Sequence, residues 1–250
     1  MQTYDNATTV TNENEILINF KKRSLACYKN HLCIRDIQYA AHKRSSLDLF
    51  RLDQAKTTVI FIHGGYWQWC NKSDFAFIAP QLLNKNCQCV LLEYDLAPSS
   101  CMQEIVTQIR QAFDFMLEQP WISDEVIVIG HSAGAHLGAL MQDHPLVSKT
   151  ILLSGIYDLA PISATPLNEA LKLSEQEIQH YSPITRNQIF NKSCEIYCGD
   201  QELAALKWQS EHYYQQRLKN GEQHTQHMLI KDSNHYNILD HYLDQHFQAE

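Results

Sequence analysis

The chain has 250 residues, is 44% hydrophobic and carries 28 acids against 20 Lys and Arg, a formal charge of -8. This length suits one α/β domain spanning residues 1–250. The negative balance excludes a general nucleic-acid binder, which needs clustered Lys and Arg, and no apolar run is long enough to span a bilayer.

Residues 1–14 are polar and lack the apolar stretch of a secretory leader. Residues 15–29 form a weakly amphipathic segment. Ile37-Gln38-Tyr39 and Ser46–Phe50 alternate and read as edge strands. Thr57–Ile62 is a continuous β-branched and apolar run, the pattern of a strand buried on both faces. A helix is expected over Asp74–Leu83, a buried strand over Cys89–Glu93, and a helix over Met102–Glu118, where Ile105, Ile109, Ala112, Phe113 and Met116 recur at helical spacing. Glu125–Ile129, Thr150–Leu153, Cys194–Tyr197 and Gln226–Ile230 read as further strands. Leu203–Leu218 and His235–Phe247 read as helices. Strands alternating with helices imply a mainly parallel sheet covered on both faces. Residues 155–193 interrupt the alternation with three prolines and a helical stretch near Glu169–His180, which predicts a small cap beside the site.

The eight cysteines form no C-x-x-C pair, and several lie in apolar strand runs. Reduced thiols and a cytoplasmic location are expected. The thirteen histidines show neither H-E-x-x-H nor a tight His/Cys knot, so no metal site is expected.

The chemistry centres on Gly130-His131-Ser132-Ala133-Gly134. A buried strand runs into it and a helix leaves it, which is the setting of a nucleophile elbow with Ser132 as nucleophile. In such an elbow His131 is expected to point away from the site. Ligands of open α/β sheets bind at the carboxyl ends of the strands, and two more polar elements fall there. His63-Gly64-Gly65-Tyr66-Trp67 follows the Thr57–Ile62 strand. The N–H groups of Gly64 and Gly65, with that of Ala133, would form an oxyanion hole. His235 lies in the loop after the last strand and suits the order Ser, acid, His. Asp200 and Glu202, in the loop after Cys194–Tyr197, both qualify as the acid that orients it.

These residues resemble the kynurenine formamidases (arylformamidases) of the α/β-hydrolase fold. The resemblance rests on H-G-G-Y-W at His63–Trp67 and G-H-S-A-G-A-H-L at Gly130–Leu137, and extends over roughly residues 36–240 through Arg44–Asp48, Tyr94–Pro98, Ser154–Leu159 and Leu167–Leu171. In the family the acid is an Asp three residues after a Gly. That position is Glu202 here, so the resemblance favours Glu202 over Asp200. It implies hydrolysis of N-formyl-L-kynurenine to L-kynurenine and formate, without a cofactor, in a protein that pairs as a homodimer by resemblance only. Aromatic walls for the substrate ring are expected from Tyr66, Trp67, Trp69, Tyr157 and Tyr236. Two rivals stand beside this reading: a carboxylesterase for small aryl or acetyl esters on the same machinery, and a non-catalytic binding protein, disfavoured because Ser132 and His235 are both present.

Overall fold

In the computed structural model, which describes residues 4–248, eight strands form one sheet. In chain order the strands are β1 Ile34–Gln38, β2 Ser46–Phe50, β3 Thr57–Ile62, β4 Cys87–Leu92, β5 Glu125–His131, β6 Lys149–Leu153, β7 Ser193–Gly199 and β8 Thr225–Ile230. The helices are α1 Glu13–Asn30, α2 Ala79–Leu83, α3 Met102–Leu117, α4 Ala133–Leu140, α5 Ala160–Ser163, α6 Asn168–Leu171, α7 Glu175–Tyr181, α8 Ala204–Lys219 and α9 Ile238–Gln245. Short 3-10 turns cover Asn6–Thr9, Lys72–Ile78 and Pro183–Thr185. The helix expected over Asp74–Leu83 is thus split, and Pro80 falls in the first turn of its α-helical half, where its missing N–H costs no bond.

The spatial order is β1-β2-β4-β3-β5-β6-β7-β8, with β1 and β2 antiparallel and the rest parallel. Successive residues of a strand face opposite sides, so β3 divides its apolar run between two cores. Ile60 and Ile62 pack with α3 and α4, whereas Val59 and Phe61 pack with α2, α9 and Phe20 of α1. Such burial on both faces explains why the central strands carry almost no polar residues.

β2 is not an edge strand. It lies between β1 and β4 and is buried throughout. Its alternation comes from Asp48, which is fully buried and bound by groups distant in sequence: the Tyr28 hydroxyl at 2.6 Å, the Asp36 N–H at 2.8 Å and the Lys72 ammonium at 3.4 Å. A charged residue at alternate spacing signalled solvent, but here it signals a partnered interior carboxylate.

The strand order also sets where chemistry can occur. β5 is central, β3 lies beside it, and β6, β7 and β8 follow on the other side. Parallel strands deliver all their following loops to one end of the sheet. The glycine loop after β3, Ser132 after β5, Ser154 after β6, Glu202 after β7 and His235 after β8 therefore meet at that end. Between β6 and β7 the chain makes three short helices and no strand, and Thr165, Pro166 and Leu167 of this excursion border the cavity beside Ser132.

Candidate active site

Ser132 sits at φ +57°, ψ -121° between β5 and α4. A non-glycine residue there stores about 1–3 kcal/mol of backbone strain, which neighbours must hold in place. The Ser132 N–H donates to the Leu153 carbonyl at 2.9 Å, and the Ser132 carbonyl accepts from Ala135 N–H at 3.0 Å. Close approach of α4 to β3 depends on Gly134, where a Cβ would lie 2.0 Å from the Ile62 carbonyl oxygen. Ser132 is therefore carried on a rigid support rather than a mobile loop.

The glycine loop folds back on itself through three consecutive residues at positive φ: Gly65 at +105°, Tyr66 at +49° and Trp67 at +59°. A Cβ on Gly65 would lie 2.2 Å from the Trp69 carbonyl oxygen, so only glycine closes this turn. The His63 ring fixes the loop from behind: Nδ1 meets the Gly64 carbonyl at 2.7 Å and Nε2 meets the Glu93 carboxylate at 2.9 Å. Glu93 is held in turn by Arg44 at 2.7 Å and by the Lys72 N–H at 3.0 Å. Burial works to raise the Glu93 pKa, but His63, Arg44 and the Lys72 N–H together keep its carboxyl below the usual range. In a planar trans peptide, C=O and N–H point in opposite directions. With the Gly64 carbonyl turned toward His63, the Gly65 N–H faces away from that ring. No acceptor among the described residues takes the N–H of Gly64 or Gly65, and the Ala133 N–H is one of the first-turn donors that a helix leaves unpaired. Gly64 and Gly65 both border the cavity.

His235 and Glu202 meet in the interior. His235 Nδ1 lies 2.8 Å from Glu202 Oε2, and both side chains are at most 7% exposed. The other carboxylate oxygen, Oε1, accepts from the Gly199 N–H at 2.8 Å and from the Ser154 hydroxyl. Burial alone would raise the Glu202 pKa; His235, Ser154 and the Gly199 N–H outweigh it and hold the carboxyl below its ordinary value. An ionised Glu202 can only accept, so His235 donates from Nδ1 and keeps its Nε2 lone pair free. Asp200 takes a different place: its carboxylate accepts from the Ser233 N–H at 3.3 Å and so braces the loop that carries His235. Ser154 has no signal in the sequence beyond the Ser-Gly that follows β6. Only the sheet order brings it to Glu202.

His131 does not point away. Its ring centroid is 4.7 Å from that of His235, its Nε2 donates to the His235 carbonyl at 2.9 Å, and it borders the cavity. Burial, then the neighbouring His235, pushes its pKa down to about 3, so it is neutral at pH 7.

Ser132 and His235 open into a cavity of about 790 Å³. Of the five aromatic residues expected around a substrate ring, three border it: Tyr66, Trp69 and Tyr236. Trp67 and Tyr157 do not. Trp67 is fully buried and donates its indole N–H to His136 at 3.3 Å, because the left-handed turn throws successive side chains to opposite sides. Tyr157 is fully buried and stacks on Tyr213 at 4.3 Å. The sequence reading also missed a wall of the cavity. Tyr4, Asp5 and Asn6, ahead of α1, and Glu13 within it cross over the site. Among the described residues no cluster of His, Cys, Asp or Glu could hold a metal ion, and no helix is long and apolar enough to cross a membrane.

A nucleophile on a strained elbow, a buried His–carboxylate pair and unpaired amides beside them can together perform acyl transfer. The family model for the alpha/beta hydrolase fold matches residues 59–237. A kynurenine formamidase of Danio rerio is 28% identical over 86% of this chain and 78% of its own length. One of Salmo salar is 31% identical over 74% of this chain and 68% of its own length. Among solved structures, a protein assigned as a thioesterase from Silicibacter sp. superposes with a TM-score of 0.88 at 22% identity, covering 98% of this chain and 94% of that one. The chain belongs to the alpha/beta hydrolase fold family and, within it, to the kynurenine formamidases.

Proposed function

We propose that this α/β-hydrolase is a serine-dependent arylformamidase that hydrolyses N-formyl-L-kynurenine to L-kynurenine and formate. One observation carries the reading: a buried imidazole, tied by Nδ1 to Glu202 at 2.8 Å, shares a cavity with a serine on a strained elbow. The kinship with kynurenine formamidases supports a formamide over an ester substrate.

Glu202 fixes one tautomer of His235 and stabilises its cation. His235 Nε2 takes the Ser132 proton while Oγ attacks the formyl carbon. The carbonyl oxygen gains charge and is met by the N–H groups of Gly64, Gly65 and Ala133; each such donor is worth about 3–4 kcal/mol of barrier. The His235 proton then passes to the aniline nitrogen, the C–N bond breaks and the arylamine leaves. Water, deprotonated by the same nitrogen, attacks the formyl ester, releases formate and restores Ser132. No cofactor enters any step. The reading places the enzyme in the cytoplasm, where unpaired cysteines are the rule.

The test compares kcat/KM for N-formyl-L-kynurenine and p-nitrophenyl acetate in wild type and Ser132→Ala. A strong preference for the formamide, lost by about 10⁶-fold in the variant, is the expected outcome. Ester cleavage through Ser132 without formamide turnover would overturn the formamidase in favour of a carboxylesterase.

A further inference from the structure

A formyl group fills little of a cavity of about 790 Å³. The remaining space must receive the leaving amine, and part of its wall is the segment ahead of α1 with the start of that helix. This strap is tied down by side chains next to the catalytic loops. The Tyr66 hydroxyl donates to the Tyr4 carbonyl at 2.6 Å, Gln209 donates to the Tyr4 hydroxyl at 3.0 Å, and the Tyr236 hydroxyl donates to Glu13.

One side chain of the strap has an unused group. Asn6 is 7% exposed and borders the cavity. Its amide orientation follows from its partners. The Tyr4 carbonyl can only accept, so the Tyr66 hydroxyl spends its proton there. Asn6 must then donate to the Tyr66 oxygen, which puts Nδ2 at that contact, 3.0 Å away. Oδ1 is left buried without a donor. A buried acceptor with no partner is costly, and a ligand N–H met by a small turn of the side chain toward the cavity would relieve it.

The charges on this wall agree. Asp5 and Glu13 border the cavity, and no Lys or Arg does among the described residues. Each acid uses one carboxylate oxygen within the protein: Asp5 Oδ1 accepts from the Ala7 N–H at 3.1 Å, and Glu13 Oε1 accepts from Tyr236. The second oxygen of each has no donor among the described residues. Both acids also raise the pKa of the Tyr236 phenol, after burial and the Glu13 hydrogen bond, as charges close to that ring must.

We propose that the strap Tyr4–Glu13 reads an aliphatic ammonium on the leaving-group side of the substrate through Asn6 Oδ1, Asp5 and Glu13. An ammonium has three N–H donors and one positive charge, and the wall supplies three unfilled acceptor groups, two of them anionic. The assignment of this wall to the leaving group rests on the hydrolase reading above. It extends that reading by naming what selects the substrate.

The experiment uses p-nitrophenyl acetate hydrolysis as reporter and two competitive inhibitors: L-kynurenine and 4-(2-aminophenyl)-4-oxobutanoic acid, which differs only in lacking the ammonium. Wild type should bind the amine-bearing compound roughly tenfold more tightly, the size of one charge-assisted hydrogen bond. The ratio should fall toward one in D5N/E13Q and decrease in N6L, while D53N, at an exposed acid elsewhere, keeps it. Each ratio is taken within one protein, so the fraction folded cancels. Asp5 is exposed, so D5N alone serves if the double variant fails to fold. A ratio near one in wild type, or a ratio unchanged in all the strap variants, overturns the proposal. Turnover of N-formyl-L-kynurenine is followed in parallel. A retained ratio without that turnover leaves the ammonium site standing and sinks the formamidase; turnover with a ratio near one does the reverse.

Discussion

On the sheet side of the cavity, the two carboxylates find their partners inside the protein. Glu202 accepts from His235, Ser154 and Gly199, and Asp200 braces the Ser233 N–H. On the strap side, Asn6 Oδ1 has no donor and two acids each keep an oxygen free. The first arrangement holds a reacting geometry still. The second leaves hydrogen-bonding capacity that a ligand can fill. Catalytic power and selectivity are thus assigned to different elements, one set by the sheet and the other laid across it.

The contrast breaks most sharply at the acid. Glu202→Gln should lower kcat by about 10⁴-fold, since an amide can no longer hold the productive imidazole tautomer. Asp200→Asn keeps an acceptor for Ser233 and should leave kcat near wild type. Equal losses in the two variants, measured by steady-state kinetics, would deny Glu202 its role.

A smaller effect is expected one bond further out. Ser154→Ala removes a hydrogen bond to a charged group, costing about 1.5–3 kcal/mol of stability in urea unfolding. It also moves a titration. The Glu202 pKa is depressed in the folded state, so its stabilisation is complete above the unfolded value and is lost as pH falls through the folded one. Without the Ser154 hydroxyl the folded pKa rises. Acid unfolding should therefore set in at higher pH, and an unmoved acid transition would leave Ser154 a packing residue only.

The smallest pair of effects separates the two tryptophans of the glycine loop. Trp67→Phe strands His136 Nδ1 in the core and should cost about 1–3 kcal/mol of stability with little change in KM. Trp69, 53% exposed at the cavity, should do the opposite on Trp69→Ala: a higher KM for aryl substrates and a stability change within about 0.5 kcal/mol. If Trp67→Phe instead raises KM and leaves stability alone, the inward placement of Trp67 fails.

How much of this was legible follows from where partners sit along the chain. β3 and β5 were plain because continuous apolar runs need no partner to explain them. Ser132 and the glycine loop were plain because their backbone demands specific small residues at fixed offsets. Glu202 and Asp200 separate only in space, since both lie in one loop and it is Glu202 that meets His235. Asp48 in β2 and Asn6 in the strap carry no such local signal, because their partners lie 20 and 60 residues away. Polar residues buried by distant partners look like surface in a sequence. The same cause hid Ser154 and the contact of His131 with His235.

The tie between Gln209 and Tyr4 spans 205 residues and has a consequence for synthesis. At about 5–20 residues per second, Tyr4 is synthesised some 10–40 s before its partner exists. Ser132 is made well before Glu202 and His235 as well. A nascent chain that already displays the nucleophile therefore lacks its base and its acid, and its strap lacks the ties to Gln209 and Tyr236. Base and acid come together only once His235 is made, so a chain stopped short of that residue carries a nucleophile it cannot activate.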